Sequence, residues 1–310
     1  MDLTKIKFPD TIKNIAIYNA SHATTELNAA LLLALRSVHP HPERVNIVTG
    51  LVYDDETTLF IILCAAGLGS DKYVPTPIHY ITYQLDPSMV FEKAPYRKLL
   101  TGAIYNWEYS NRNIEYCADK YDLKLHYVPP GYVETLSPIH IIDGTYLYSD
   151  AGKDIDVLFL GWDVYPRRAA IRDAFGITGL KIWFVCTLDI NGMKEAIRRA
   201  KVCINIHHID DMPIFQSIRM SILLSNQSCI VSEDIKDPEI EIYGDNVIFV
   251  PYQDLVPKCV ELVKDPEKRR TQAIKSYQWY RRNRYWNRIV DFNALLPSLD
   301  QRSNVDAHPL

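Results

Sequence analysis

Short runs of apolar and β-branched residues alternate along this chain with stretches in which apolar residues recur at helical spacing. The first kind of run predicts β-strands and the second predicts amphipathic helices. In the first half, we predict strands at Asn14–Tyr18, Val45–Thr49, Ile78–Gln84 and Leu123–Val128, and helices at Thr24–Arg36 and Asn111–Lys120. Leu59–Cys64 is apolar throughout and fits either a strand or a buried helix. Thr24 or Thr25 and Ser110 are the expected helix caps.

The second half repeats the alternation, which predicts parallel sheets joined by crossover helices. Its predicted strands are Asp156–Leu160, Leu180–Cys186, Val202–Ile206, Cys229–Val231 and Val247–Val250, and its helices are Pro166–Phe175, Asn191–Ala200 and Phe215–Leu224. Between the halves, residues 132–153 carry Pro138, Gly144 and Gly152 without a sustained period, which is typical of a domain boundary. We therefore expect an α/β protein with domains at 1–140 and 141–276, and a disordered tail at 301–310.

Composition and charge narrow the class of protein. The 310 residues carry a formal net charge of -4, whereas proteins that bind nucleic acid present a basic surface, so no nucleic-acid partner is expected. The six cysteines form no Cys-x-x-Cys pair and are expected as buried thiols. The N-terminus lacks the apolar core of a signal peptide, and the longest apolar run, Leu59–Leu68, is about ten residues, too short for a transmembrane segment. We expect a cytoplasmic protein.

Candidate chemistry follows the predicted strands, because ligands of open α/β sheets bind beyond the carboxyl ends of the strands. The strand Asp156–Leu160 leads into Gly161 and then into a helix that opens with Arg167 and Arg168. Glycine permits close approach of the backbone, a helix N-terminus favours anions, and arginine binds phosphate through paired hydrogen bonds. The segment is a candidate diphosphate site, although it lacks the three glycines of a dinucleotide-binding fingerprint.

A second group of candidates lies around two later strands of this half. His207 or His208 would contact a phosphate or a sugar hydroxyl, with Asn205 orienting the ring, and a solvated loop is the alternative for both histidines. Arg219 lies in an otherwise apolar helix, so it either covers the core with its stem or binds phosphate. Glu233 follows the next strand and either accepts from a ribose or sugar hydroxyl or belongs to a turn.

The first half offers a candidate general base. His22 follows the first predicted strand, and an unperturbed histidine titrates near neutral pH, which suits proton abstraction from a hydroxyl; a capping or surface role is the alternative. Asp54 and Asp55 are alternative bases. The segment 154–156 matches the Asp-x-Asp pattern of metal-dependent sugar transferases, but it precedes its strand, at the opposite end of the sheet from the ligand crevice. No metal site is expected there.

Three parts of the sequence carry a resemblance to a known family. Ile78–Pro87, Asn106–Tyr116 and His126–Tyr132 together resemble the way the family ends its first domain. Gly161–Arg168 resembles the opening of its second domain, and Cys203–Glu233 resembles its donor-binding core. On these segments the chain resembles the nucleotide-sugar glycosyltransferases of GT-B architecture, specifically the small bacterial and large-DNA-virus members related to glycosyl transferase group 1.

The resemblance implies two facing Rossmann-like domains with an interdomain cleft, in which the second domain binds the donor and the first binds the acceptor. It also implies that a final helix around Tyr277–Ile289, within residues 277–300, crosses back to the first domain. Retaining members commonly carry a glutamate three residues after the position of Arg219, where this chain has Ile222, and a glycine near Gln227. The missing glutamate favours an inverting enzyme whose base lies in the first domain, such as His22.

We therefore expect a metal-independent glycosyltransferase without a cofactor. It would move a sugar from a nucleoside diphosphate donor to a hydroxyl group of a glycan or other acceptor, with the arginines stabilising the leaving diphosphate and His22 deprotonating the acceptor. A nucleotide-sugar epimerase of the same fold and a non-catalytic nucleotide-sugar or glycan-binding protein are the alternatives, and the substitution at Ile222 keeps the latter open.

Overall fold

The protein is described by a computed structural model, in which two parallel β-sheets are each packed between helices. The structure describes residues 8–21, 24–64, 76–86, 94–121, 123, 125–134, 141–142, 145–146, 148–186, 189–207 and 214–297. Within this part of the chain, no helix combines the length and the apolar character needed to cross a membrane.

The first sheet has six parallel strands in the order β2-β1-β3-β4-β5-β6. The strands are β1 (Asn14–Asn19), β2 (Val45–Val48), β3 (Thr58–Leu63), β4 (His79–Gln84), β5 (Asn106–Glu108) and β6 (Leu125–Tyr127), and the helices are α1 (Thr25–Val38), α2 (Ala94–Gly102) and α3 (Asn111–Lys120). Successive side chains of a strand point to opposite faces, so Ile15 and Ile17 enter one core and Ala16 and Phe60 enter another. Every residue of β3 is buried, and the apolar run there is a strand.

The second sheet has five parallel strands and follows a short antiparallel pair, β7 (Ile141–Ile142) and β8 (Thr145–Tyr146). Its order is β10-β9-β11-β12-β13. The strands are β9 (Ile155–Leu160), β10 (Ile182–Val185), β11 (Ala200–Asn205), β12 (Ile230–Glu233) and β13 (Ile248–Val250), and the helices are α4 (Pro166–Gly176), α5 (Ile190–Arg199), α6 (Ser217–Ser225), α7 (Pro238–Tyr243), α8 (Leu255–Lys264) and α9 (Pro266–Asn283). The predicted alternation of strands and helices is confirmed in both halves.

Neither Thr24 nor Ser110 caps its helix through its side chain, contrary to the expectation from the sequence. Thr24 and Ser110 stand at the N-cap positions of α1 and α3, but neither side chain bonds to its helix. The Thr24 hydroxyl donates to Asn19 Oδ1 at 2.9 Å, and the Ser110 backbone N–H donates to Glu108 Oε1 at 3.0 Å. Polar neighbours at the carboxyl edge of the first sheet therefore compete with the helix termini for these groups.

Two chain segments pass between the domains side by side. The backbone N–H of Trp286 donates to the Tyr132 carbonyl at 3.0 Å, and the N–H of Tyr132 donates to the Arg284 carbonyl at 2.6 Å. The chain then forms α10 (Trp286–Ile289), and Trp286 and Phe292 are buried in the core of the first sheet. The last described residues thus belong to the first domain although they follow the second in sequence.

Polar contacts also join the facing edges of the two domains. Lys194 Nζ on α5 lies 3.0 Å from Oε1 of the buried Glu26 on α1. Glu239 Oε1 on α7 accepts the backbone N–H of Asn111 at 3.1 Å. Burial, followed by the negative charge of Asp237, raises the pKa of Glu239 to about 8, so its carboxyl group is largely protonated at neutral pH.

Candidate functional site

The carboxyl ends of three adjacent strands bring the second-half candidates together. β9, β11 and β12 are neighbours in the sheet; Gly161 follows β9 directly, His207 lies two residues beyond β11, and Glu233 ends β12. The register sets Asn205 opposite Ser232, and the Asn205 amide donates to the Ser232 hydroxyl at 2.9 Å. Arg168 of α4 and Arg219 of α6 reach the same edge, where both lie close to Phe159 of β9.

Arg168 and Arg219 both lie close to one aromatic ring. Their Cζ atoms lie 5.1 and 5.0 Å from the centroid of Phe159, within the range of cation–π interactions. Arg168 donates to the carbonyls of Trp162 at 2.9 Å and Ile206 at 3.1 Å, and Arg219 donates to Asn205 Oδ1 at 2.6 Å. All of these partners are neutral, and neither guanidinium forms an ion pair within the described residues.

Burial disfavours the charged forms of both Arg168 and Arg219. Burial lowers the pKa of Arg168 to about 10, and the positive charge of Arg167 adds to this effect. Burial lowers the pKa of Arg219 to about 9, and the charge of Arg168 lowers it further. A buried charge without an ion-pair partner is costly, and a bound anion removes that cost. Within the described residues, the pair is therefore a candidate anion site.

Gly161 makes room for this pair. Its φ of +152° is one that L side chains rarely adopt, and its N–H donates to the Val185 carbonyl at 2.8 Å. A Cβ atom here would lie 2.8 Å from Arg219 Nη2 and 3.1 Å from Phe159 Cζ. Both the backbone conformation and the close approach of the guanidinium require glycine.

Glu233 is bound by side chains of the protein itself. Arg167 donates to both carboxylate oxygens, from Nη1 to Oε2 at 3.0 Å and from Nη2 to Oε1 at 2.5 Å. His207 Nδ1 lies 2.6 Å from Oε2, and all three side chains are largely buried. The arrangement differs from both sequence interpretations of Glu233, because its carboxylate holds Arg167 and His207 in place. The other ring nitrogen of His207, Nε2, is not engaged by Glu233.

Arg167 is thereby distinguished from Arg168. Besides its bond to Glu233, its guanidinium carbon lies 4.3 Å from the centroid of the Tyr252 ring, and the Tyr252 hydroxyl donates to the Arg167 carbonyl at 2.7 Å. Among the described residues, Arg167 pairs with a carboxylate, whereas Arg168 and Arg219 form no ion pair.

Three further candidates from the sequence are His22, His208 and Asp55. His22 and His208 lie outside the described residues. Asp55 Oδ1 accepts both the backbone N–H and the hydroxyl of Thr57 at 2.8 Å, which is a turn-forming role.

The segment 154–156 forms ion pairs at the amino end of β9. Asp154 pairs with Arg199 at 2.6 Å, and Asp156 pairs with Lys201 at 2.6 Å. Within the described residues, no group of three or more histidine, cysteine, aspartate or glutamate side chains is arranged to hold a metal ion.

The two departures from the family pattern are visible in α6 and just after it. Ile222 is buried in an apolar core of the second domain. Gln227 has a φ of +50°, the left-handed conformation that glycine adopts most readily. The backbone after α6 therefore has the conformation that favours glycine, although the residue at this position is Gln227.

Phe159, the ring close to both arginines, was not among the sequence candidates. It lies two residues before Gly161 on the same strand, so period-2 alternation places both on one face of the sheet. That parity is the signal that would have identified it.

These features define the GT-B fold of nucleotide-sugar glycosyltransferases, as the sequence predicted. The protein has two facing parallel-sheet α/β domains. Solved glycosyltransferase structures are similar to it over nearly its whole length. No protein-family model matches the chain.

Three solved structures illustrate the likeness. T4 phage BGT in complex with UDP and Mn2+ is 14% identical with a TM-score of 0.58, covering 93% of this chain and 100% of that one. An alpha-glucosyltransferase in complex with UDP and a 13-mer DNA containing a HMU base is 10% identical with a TM-score of 0.57, covering 92% and 99%. Sucrose-phosphate synthase from Thermosynechococcus elongatus is 11% identical with a TM-score of 0.54, covering 91% and 96%. At these identities the likeness establishes the fold.

Sequence relatives come from a giant virus. One uncharacterized protein of Acanthamoeba polyphaga mimivirus is 30% identical over 147 residues, which is 46% of this chain and 16% of that protein. A second is 26% identical over 191 residues, which is 61% of this chain and 60% of that protein. The matches thus span less than two thirds of either relative.

Proposed function

We propose that this protein transfers a sugar from a nucleoside diphosphate donor to a hydroxyl group of a glycan or other acceptor. The observation that carries the proposal is the pair Arg168 and Arg219, two positive charges close to the Phe159 ring that form no ion pair within the described residues. A diphosphate supplies the missing negative charge. In the transition state the leaving diphosphate gains charge, and fixed guanidinium groups stabilise it without reorganising.

The remaining site residues support the same donor. Gly161 permits close approach beside the N-terminus of α4, where backbone N–H groups favour an anion. His207, oriented by Glu233 through Nδ1, presents Nε2 to a phosphate or sugar oxygen. In this proposal Asn205 acts through Arg219, and Arg167 and Glu233 act by holding His207 and the start of α4.

The proposed acceptor is a hydroxyl compound other than nucleic acid. One of the similar structures is a DNA-modifying enzyme and another was solved with DNA, so a DNA acceptor has to be considered. Residues 1–140 of this chain contain twelve lysines and arginines against fifteen aspartates and glutamates. An acceptor domain with a net negative charge repels a phosphate backbone, which favours an uncharged glycan.

Catalysis in this proposal uses no metal ion. His22 removes the proton from the acceptor hydroxyl, and the arginines take the electrostatic role that a divalent ion has in metal-dependent transferases. The chemistry then requires that activity survives EDTA and that His22→Ala lowers kcat by about 10²–10⁴-fold, the usual contribution of a general base.

Donor binding tests the proposal directly. UDP, GDP and dTDP and their sugar derivatives are screened by thermal shift, because a ligand that binds the native state raises Tm. We expect one nucleotide series to raise Tm, and we expect Arg168→Ala and Arg219→Ala to abolish that increase.

Arg198→Ala is the matched control. Arg198 lies on α5, is partly exposed and pairs with Glu195, three residues earlier on the same helix. It should keep full donor binding. The proposal is wrong if no nucleotide binds the wild-type protein, or if the variants of Arg168 and Arg219 behave like that of Arg198. Release of an epimer in the absence of any acceptor would identify an epimerase instead.

A further inference from the structure

The loop after β9 exposes apolar side chains beside the anion site. Trp162 is 58% exposed and Val164 is 67% exposed, whereas Trp107 and Trp286 are fully buried. Trp162 is the only exposed residue among the five tryptophans, all of which lie in the described part of the chain. An indole ring left in water next to a binding site is a surface that a ligand can cover with gain of free energy.

The backbone of this loop is fixed although the side chain is exposed. The Trp162 carbonyl accepts from Arg168 Nη1 at 2.9 Å, and the preceding Gly161 N–H donates to the Val185 carbonyl at 2.8 Å. Asp163 pairs with Arg172, which anchors the middle of the loop to α4. The indole is thus presented from a preorganised position, which limits the entropy lost when a ligand packs on it.

The position of the loop indicates the ligand. Trp162 follows Gly161 directly, and Gly161 contacts Arg219 of the anion site. A ring bound on the indole would therefore lie next to the proposed diphosphate, where the two substrates of a transferase meet. The C–H face of a pyranose ring is apolar and flat enough to pack on an indole, while its hydroxyl groups remain in water.

We propose that Trp162 is a stacking platform for a sugar ring of the acceptor glycan. This inference rests on the proposed glycosyltransferase function and adds the class of acceptor. The transferred sugar of the donor has to be shielded from water to avoid hydrolysis. Trp162 remains more than half exposed while polar contacts such as that of Lys194 with Glu26 already join the domains. An exposed platform suits an acceptor chain that extends into solvent.

The test compares Trp162→Ala and Trp162→Phe with Ile177→Ala. Ile177 is 92% exposed, just beyond the end of α4, and controls for removing an exposed apolar side chain elsewhere. Maltopentaose, cellopentaose and chitopentaose are titrated into the full chain saturated with UDP, and protection of tryptophan fluorescence from acrylamide quenching and calorimetric affinity are recorded. UDP binding alone is measured for every variant.

We expect at least one oligosaccharide to protect wild-type fluorescence, Trp162→Ala to weaken its binding about tenfold or more, and Trp162→Phe to retain most of it. UDP affinity should remain within about twofold in all variants. The platform is overturned if no oligosaccharide binds, if Trp162→Ala and Ile177→Ala bind it equally, or if Trp162→Ala weakens UDP itself. Failure of the wild-type protein to bind any nucleotide would instead overturn the proposed function.

Discussion

Two glycines with positive φ provide a matched test of the donor site. Gly161 has a φ of +152° and Gly179 a φ of +73°, so an alanine at either position adopts an unfavourable backbone conformation. Gly179 lies before β10, at the opposite edge of the second sheet, and a Cβ atom there meets nothing within 4 Å. A Cβ atom at Gly161 meets Arg219 Nη2 at 2.8 Å.

The expected magnitudes follow from this difference. At Gly179, a left-handed conformation costs a non-glycine residue about 1–2 kcal/mol, and the stiffer unfolded chain of the alanine variant returns about 0.4–1 kcal/mol. We expect Gly179→Ala to lose about 1 kcal/mol of unfolding free energy, a fall of about 2–4 °C in Tm. Gly161→Ala should lose more, because its Cβ atom also displaces the Arg219 guanidinium from Asn205, a charged hydrogen bond that contributes about 1.5–3 kcal/mol.

The assay is thermal unfolding combined with calorimetric titration of UDP or whichever nucleotide raises Tm. If the Arg219 geometry holds the diphosphate, Gly161→Ala loses tenfold or more in nucleotide affinity, since about 1.4 kcal/mol corresponds to tenfold. Gly179→Ala should bind like the wild type despite its own loss of stability. Equal affinities in the two variants would refute the role assigned to Arg219, because the clash would then have no consequence for the donor.

Three further predictions concern stability and domain contact. Gln227→Gly should raise the unfolding free energy by about 0.5 kcal/mol in urea titrations, because glycine relieves the left-handed φ but is more flexible when unfolded; a loss of stability would contradict this. The raised pKa of Glu239, about 8, means that the native state retains a proton that the unfolded state releases above its ordinary pKa near 4.5, so wild-type stability should fall as pH rises from about 5 to 8. Glu239→Gln, which keeps the acceptor for the Asn111 N–H, should remove that component, and an unchanged pH slope would show that the carboxyl group is ionised in the native state. Lys194→Ala should lower the midpoint of urea unfolding by leaving Glu26 buried without its cation, and adding Glu26→Gln should restore part of the loss; no recovery in the double variant would show that the ion pair is not the cause.

The sequence predicted the architecture and the positions of much of the candidate donor site for a physical reason. Strand periodicity and the alternation with helices determine where carboxyl ends lie, and Gly161, Arg168 and Arg219 could be assigned to one edge on that basis alone. The structure brings the three together, with Arg219 within contact distance of Gly161 and bonded to Asn205. Whether they bind a nucleotide sugar remains a prediction.

The sequence did not predict which charges are neutralised inside the protein. Arg167 and Arg168 are adjacent and chemically identical, yet among the described residues Arg167 pairs with Glu233 whereas Arg168 donates its hydrogen bonds to two backbone carbonyls. That difference depends on the direction of each side chain on α4 and on the register of β12, which connects residues more than sixty positions apart. The expected cap at Ser110 is also absent, because its hydroxyl makes no hydrogen bond to α3, while its backbone N–H donates to the side chain of Glu108 two residues earlier.

The paired crossings at Tyr132 and Tyr285 determine how the two halves of the site can move. Backbone hydrogen bonds join the two connecting segments, so pulling the domains straight apart would break the bonds in both. Rotation about the paired segments leaves these bonds intact, whereas it changes the distances between Lys194 and Glu26 and between Glu239 and Asn111. Because the bonds between the segments are made by main-chain atoms, side-chain substitutions in these segments can preserve them.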